Sequence, residues 1–197
     1  MSGIAYELRY LHAAVDELKV YLLSEKLFWH TGVVVYNPSE TPYPQLTLGN
    51  LALYCTRVEA KLASAPLEAA SAAEVQRVIR EIETLHQKWR TAWENKAAHE
   101  FVSRFRQWRI YIDEIKKNPE KHAIFYSSEV RVRVLLELLK DQLGPEPPEE
   151  LALLPQVDAR LQAIFKSGEF LWEDDLKASF DPERYWFLYR HPDEGSA

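Results

Sequence analysis

Between Ser71 and Asn118 the chain contains neither proline nor glycine. A run of that length without a helix breaker reads as one long rod or two rods end to end, because strands are far shorter. Ser71 followed by Glu74 has the spacing of a capping box and marks its start. Apolar residues inside it recur at threes and fours. Val78, Ile82, Leu85, Trp89 and Ala92 form one seam. Phe101, Phe105, Trp108, Ile112 and Ile115 form another, displaced by two positions. Trp89, Trp93, Ala97 and Phe101 join the two by successive fours, a local change of supercoil. Glu94-Asn95-Lys96 is a place for a kink, so one helix or two over 71–117 stays open.

The same periodicity runs through most of the chain. Ile4, Leu8, Leu11, Val15, Leu18 and Leu22, with Trp29 a heptad later, predict a first helix ending near His30 before Thr31-Gly32. Leu48, Leu51, Cys55, Val58 and Leu62 predict a second from about Thr47 to Ala63, with Cys55 a small apolar residue on its seam. Asn118-Pro119 is an N-cap followed by proline at the first helical position, opening a helix that reaches Leu143. Gly144 to Pro148 reads as a hinge. A short helix near 149–154, another over 155–166 and a last turn or two after Asp181-Pro182-Glu183 follow. The expected fold is therefore all-α: an irregular antiparallel helical bundle over 1–143, with one very long central helix. A Pro-rich hinge and an acidic helical C-terminal appendage, 144–197, pack on it.

Composition narrows the function classes. A chain of 197 residues with 47 % apolar residues can bury a core without disulfide or metal staples. Its single cysteine excludes a disulfide framework. The longest nearly uncharged stretch, 27–56, is broken by prolines and glycines well short of the ~20 apolar residues a membrane span needs. With no basic leader before the first helix, the expectation is a cytoplasmic protein without membrane partners. The formal charge of −6 is uneven. Residues 101–140 carry nine basic and five acidic groups, and residues 141–197 carry five and thirteen. The simplest consequence is attraction between the tail and the basic helices. The other is an acidic partner such as RNA, contacted by Arg104, Arg106, Arg109, Arg131 and Arg133 with Trp108 and Tyr111 available for stacking.

Few constellations carry chemistry. Glu83-Thr-Leu-His86 has the Glu-x-x-His spacing that helical carboxylate-bridged metal sites use. Only one such element is present, with His12, Asp16 and Glu17 as distant supplements, so a solvated helix face is the expectation. Arg80-x5-His86 and Arg184-x6-His191 match the arginine–histidine spacing of the helical HEPN ribonucleases. Such a resemblance implies an arginine holding phosphate and a histidine doing acid–base work at a dimer interface. It covers two residues at a time. Glu81 and Tyr185 follow the arginines where that family often has another polar residue, and about one match arises by chance.

Trp89, Trp93, Glu100, Arg104, Trp108 and Tyr111 lie near one stripe of the long helix. Glu100–Arg104 and Glu129–Arg133 are spaced for ion pairs. If the two helices are antiparallel, both pairs meet inside the bundle. They then either fix its register or form the base of an aromatic-walled ligand site. Val35, Tyr36 and Tyr43, in the nearly uncharged connection 31–45, and Tyr185 and Trp186, in the apolar tail, are candidates to face a partner. The reading that follows is a non-enzymatic interaction or assembly module, with a protein partner or a second copy of itself and no cofactor. An RNA-binding or RNA-processing protein and a small-ligand-binding bundle are the alternatives.

Overall fold

The structure, a computed structural model, describes residues 4–32, 41–64 and 69–192. It is helical almost throughout: α1 (Ile4–Leu23), α2 (Leu48–Ser64), α3 (Ala69–Lys88), α4 (Arg90–Lys117), α5 (Pro119–His122), α6 (Tyr126–Lys140) and α7 (Glu150–Ile164). The one sheet among the described residues is a small antiparallel pair, β1 (Phe165–Ser167) with β2 (Arg190–Pro192). The α-helical bundle with a long central helix and an appended C-terminal segment is thus the observed architecture. The long central helix is α4.

The seams face a common core. Leu11, Leu18, Val58, Phe101, Phe105, Trp108, Ile112, Leu136 and Leu139 are all essentially without exposure. Asn118 caps the corner as its motif requires, its Oδ1 accepting from the Lys121 amide at 3.2 Å. This corner folds α6 back along α4, and α2 runs antiparallel to α6, as the Asn50–Arg131 and Gly49–Leu135 contacts show.

Several boundaries differ from expectation, each for a physical reason. α1 stops at Leu23 rather than near His30. The buried Lys96 ammonium donates to the carbonyls of Ser24 (2.6 Å) and Lys26 (2.9 Å), a cation at a helix C-terminus. Trp29 instead pairs its backbone with Leu46 as an isolated bridge. The rod over 71–117 is two helices, turning at Trp89 (φ −116°, ψ 32°) rather than at Glu94-Asn95-Lys96. The turn falls near the end of the first seam, before the second begins, since a straight rod cannot point both at one core. The upper rod starts at Ala69, two residues before Ser71, and Glu74 reaches His12 at 3.0 Å. α6 ends at Lys140, before Leu143. The two helices expected over 149–166 are one, α7, with the exposed Pro155 inside it. The last helical turn is the 3-10 stretch Trp186–Tyr189.

The C-terminal segment packs on the bundle through specific polar links. Tyr126 Oη donates to the Phe187 carbonyl at 2.7 Å. Arg184 donates to Glu137 and Asp141. The Arg133 guanidinium lies 4.4 Å over the Phe187 ring.

Candidate functional site

Residues three and four apart share a helix face. On α2, Asn50, Leu53, Tyr54 and Arg57 form such a stripe. On the antiparallel α6, Ser128, Arg131, Val132 and Leu135 form the facing one. Between them runs a furrow of two cavities, about 290 Å³ and 360 Å³, which share Ser128 and Arg131 as common walls. Phe28 and Arg104 close the first cavity, and Trp172 and Glu173 close the second.

Three guanidiniums and two carboxylates, Glu129 and Glu173, line the furrow. Two of the three are already matched. Arg57 Nε donates to the wholly buried Glu7 at 2.7 Å, and its Nη2 lies 3.3 Å from Glu173. Burial works against the Arg57 charge, but these two carboxylates outweigh it and hold its pKa above the usual value. Arg104 Nε lies 3.3 Å from Glu100 Oε1, and its guanidinium sits 5.1 Å over the Phe28 ring. Glu100 is wholly buried, and its Oε2 accepts the Gly49 amide at 2.9 Å.

Arg131 is different. Its Nη2 donates to Asn50 Oδ1 at 2.9 Å, and among the described residues no carboxylate lies within ion-pair distance. Asn50 is itself oriented, its Nδ2 donating to the Gln45 carbonyl at 2.8 Å and its backbone amide to Thr47 Oγ1 at 3.1 Å. The half-buried Arg131 fork is thus held from one side by a neutral acceptor and borders both cavities. Beneath, Tyr10 packs on Tyr54 at 4.3 Å between ring centres, and its buried hydroxyl has no partner among the described residues. Burial pushes the Tyr10 pKa far up, so it is a neutral O–H throughout the physiological range.

The residues singled out from the sequence scatter over the fold. The expected Glu129–Arg133 pair does not form. Arg133, 4 % exposed, pairs with Glu137 at 3.0 Å and Asp158 at 2.8 Å. Trp108 is buried and donates to the same Asp158 at 3.2 Å, and Tyr111 Oη donates to the His122 carbonyl. Their rings are therefore inside the core rather than on an outer face. Arg106 and Arg109 are exposed on α4. Trp89 lies under the Lys19 ammonium, with its indole N–H buried and without a partner among the described residues.

Trp93, Glu83 and His86 do share a cavity, of about 260 Å³, with Cys55. His86 stacks on Trp93 at 4.5 Å, and burial lowers its pKa. Burial pushes the Cys55 thiol up to about 12, which leaves it a poor nucleophile. Among the described residues no group of three His, Cys, Asp or Glu side chains is placed to hold a metal. Arg80 is exposed on α3 and His86 stacks on Trp93, while His191 bonds the Glu169 carbonyl and Arg184 goes to α6. Of the partner-facing candidates, Tyr43 packs on Tyr6 and Tyr10, Tyr185 is buried against Phe180, and Trp186 packs on Phe187. Val35 and Tyr36 lie outside the described residues.

Asn50, Tyr54 and Arg57 escaped the sequence reading. Their signal was there: a stripe at four and three on α2, flanking its apolar seam. Trp172 carried no comparable signal, because it arrives from more than a hundred residues away. No family model, no curated protein and no solved structure matches the chain, so the site must be read from its own geometry. No helix among the described residues is long and apolar enough to cross a membrane.

Proposed function

We propose that the protein is a non-enzymatic binding module whose furrow between α2 and α6 captures a ligand through an oxyanion, a carboxylate or a phosphate. One observation carries this reading. Arg131 offers a half-buried guanidinium fork that no carboxylate of the described chain occupies, beside Arg57 and Arg104, which are neutralised from behind. A planar fork matches two oxygens of a carboxylate or phosphate, and partial burial strengthens the pairing. Neither histidine nor cysteine lines the furrow, the Ser128 hydroxyl donates to the Phe125 carbonyl, and Glu173 is paired with Arg57. That arrangement supports binding rather than turnover. Titration calorimetry with acetate and with inorganic phosphate at constant ionic strength tests it. Saturable heat is expected with the parent protein and none with Arg131→Gln; equal heats from both would refute the reading.

A second reading has its own support. Arg106 and Arg109 are exposed one turn apart on α4, with Lys116, Lys117 and Lys121 exposed further along. Such a strip suits a polyanion such as single-stranded RNA. On this reading, fluorescence anisotropy detects RNA binding that weakens steeply with salt and is lost in the double variant Arg106→Gln, Arg109→Gln, whereas Arg131→Gln binds as before.

A further inference from the structure

The two cavities beside Arg131 differ in character. The one toward the C-terminal segment has Leu53, Tyr54 and Trp172 in its walls, while Ser127 and Ser128 stand next to the guanidinium. Trp172 is fixed there from two directions. Its ring meets Phe180 edge-on at 5.3 Å, and the adjacent Glu173 is paired with Arg57. The Tyr54 ring is braced from beneath by Tyr6 and Tyr10. An apolar slot with rigid aromatic walls therefore opens beside a single unmatched cation, the Ser128 hydroxyl being turned to the Phe125 carbonyl at 2.8 Å. Its volume of about 360 Å³ is at the small end of ligand sites, room for a ring and a short chain but not for a polymer segment.

We infer that the furrow's ligand is a small amphiphilic anion: one carboxylate or monophosphate seated on Arg131, joined to an aromatic or aliphatic body lying between Tyr54 and Trp172. This rests on the oxyanion reading above and adds the apolar half. Charge favours a ligand with one anionic group over a polyanion. Arg57 and Arg104 already share their charge with Glu173, Glu7 and Glu100, and Glu129 lies in the first cavity. Further negative groups on the ligand would meet these carboxylates rather than free cations. The apolar walls contribute only when water leaves them, so both halves must be on one molecule to act together.

Titration calorimetry on the full chain decides this with five probes: acetate, inorganic phosphate, hydrocinnamate, phenyl phosphate and the uncharged hydrocinnamyl alcohol. Hydrocinnamate is expected to bind at least about tenfold tighter than either acetate or the alcohol, a gain of about 1.4 kcal/mol. Arg131→Gln should reduce it to the affinity of the alcohol. Trp172→Ala should reduce it to that of acetate, with the Trp172 contribution to fluorescence quenching lost. The ratio of hydrocinnamate to phenyl phosphate identifies which oxyanion the fork prefers. If hydrocinnamate binds no tighter than acetate while both still depend on Arg131, the amphiphile is wrong and the oxyanion reading stands. If hydrocinnamate binds Arg131→Gln as tightly as the parent, the inference fails. If no anion binds at all, both readings fall. The comparison among probes on the parent protein needs no variant, so it holds even if a substitution disturbs folding.

Discussion

Glu100 shows how one residue constrains another far away in sequence. Its carboxylate is wholly buried and needs donors, and it finds the Gly49 amide and Arg104. The approach is so close that a Cβ at position 49 would stand 2.9 Å from Oε1, with Leu135 behind at 3.4 Å. Gly49→Ala should therefore cost about 1–3 kcal/mol in chemical denaturation, the range for forcing an extra methyl into a packed site. Within a few tenths of the parent's stability, the variant would show that Glu100 can swing aside. His86 makes a pH-dependent contribution. Burial holds its pKa below 6.5 in the fold, with Glu94 opposing and Arg90 assisting. The unfolded chain then binds the proton more readily, so stability is complete above the unfolded value and declines as pH falls from there toward the folded one. His86→Gln should flatten the stability profile between about pH 5 and pH 7. A profile unchanged by the substitution would rule out this source.

At the level of elements, one carboxylate joins three helices. Asp158 on α7 accepts from Trp108 on α4 and from Arg133 on α6, and Arg133 also holds Glu137. Removing one partner of a buried pair leaves a charge without compensation. Asp158→Ala is expected to destabilise by about 3–5 kcal/mol in denaturant titration, and a loss below about 1 kcal/mol would mean that water replaces it. This junction also shows what the sequence could and could not convey. The seams of α1, α4 and α6 were legible because burial imposes a period on apolar residues, and Phe101, Phe105, Trp108 and Ile112 occupy the core as their spacing predicts. Charge pairing was not. Arg133 has a glutamate one turn before it and another one turn after it, Glu129 and Glu137, and spacing ranks them alike. The choice falls to Glu137 because Asp158 and the Phe187 ring meet Arg133 inside the molecule. Only tertiary packing supplies such partners. The end of α1 at Leu23 has the same origin, in Lys96 arriving from α4.

Across the whole molecule, acidic groups and basic groups from distant parts of the chain tie the C-terminal segment down. Burial would raise the pKa of Glu137 and of Glu173, but Lys140 and Arg133 outweigh it for the first. A backbone amide and Arg57 do so for the second. Both end below the ordinary carboxylate value. Their stabilisation is therefore present above the unfolded value and is lost as pH falls through the lowered folded values. Acid below about pH 4 should protonate Glu173, loosen its pair with Arg57 and release the segment from Trp172 onward, seen as exchange of its amides before those of α4 and α6. Simultaneous exchange of both would contradict that order. Trp172 and Glu173 belong to this segment, so its docking also completes the furrow. Anion capture in the furrow depends on Arg131, and arginine side-chain NMR reads that contact itself. Titrating labelled protein with hydrocinnamate should shift the Arg131 Nε–Hε signal saturably, with smaller changes at Arg57 and Arg104 and none at Arg106 or Arg109. An unmoved Arg131 signal, or shifts confined to Arg106 and Arg109, would contradict it.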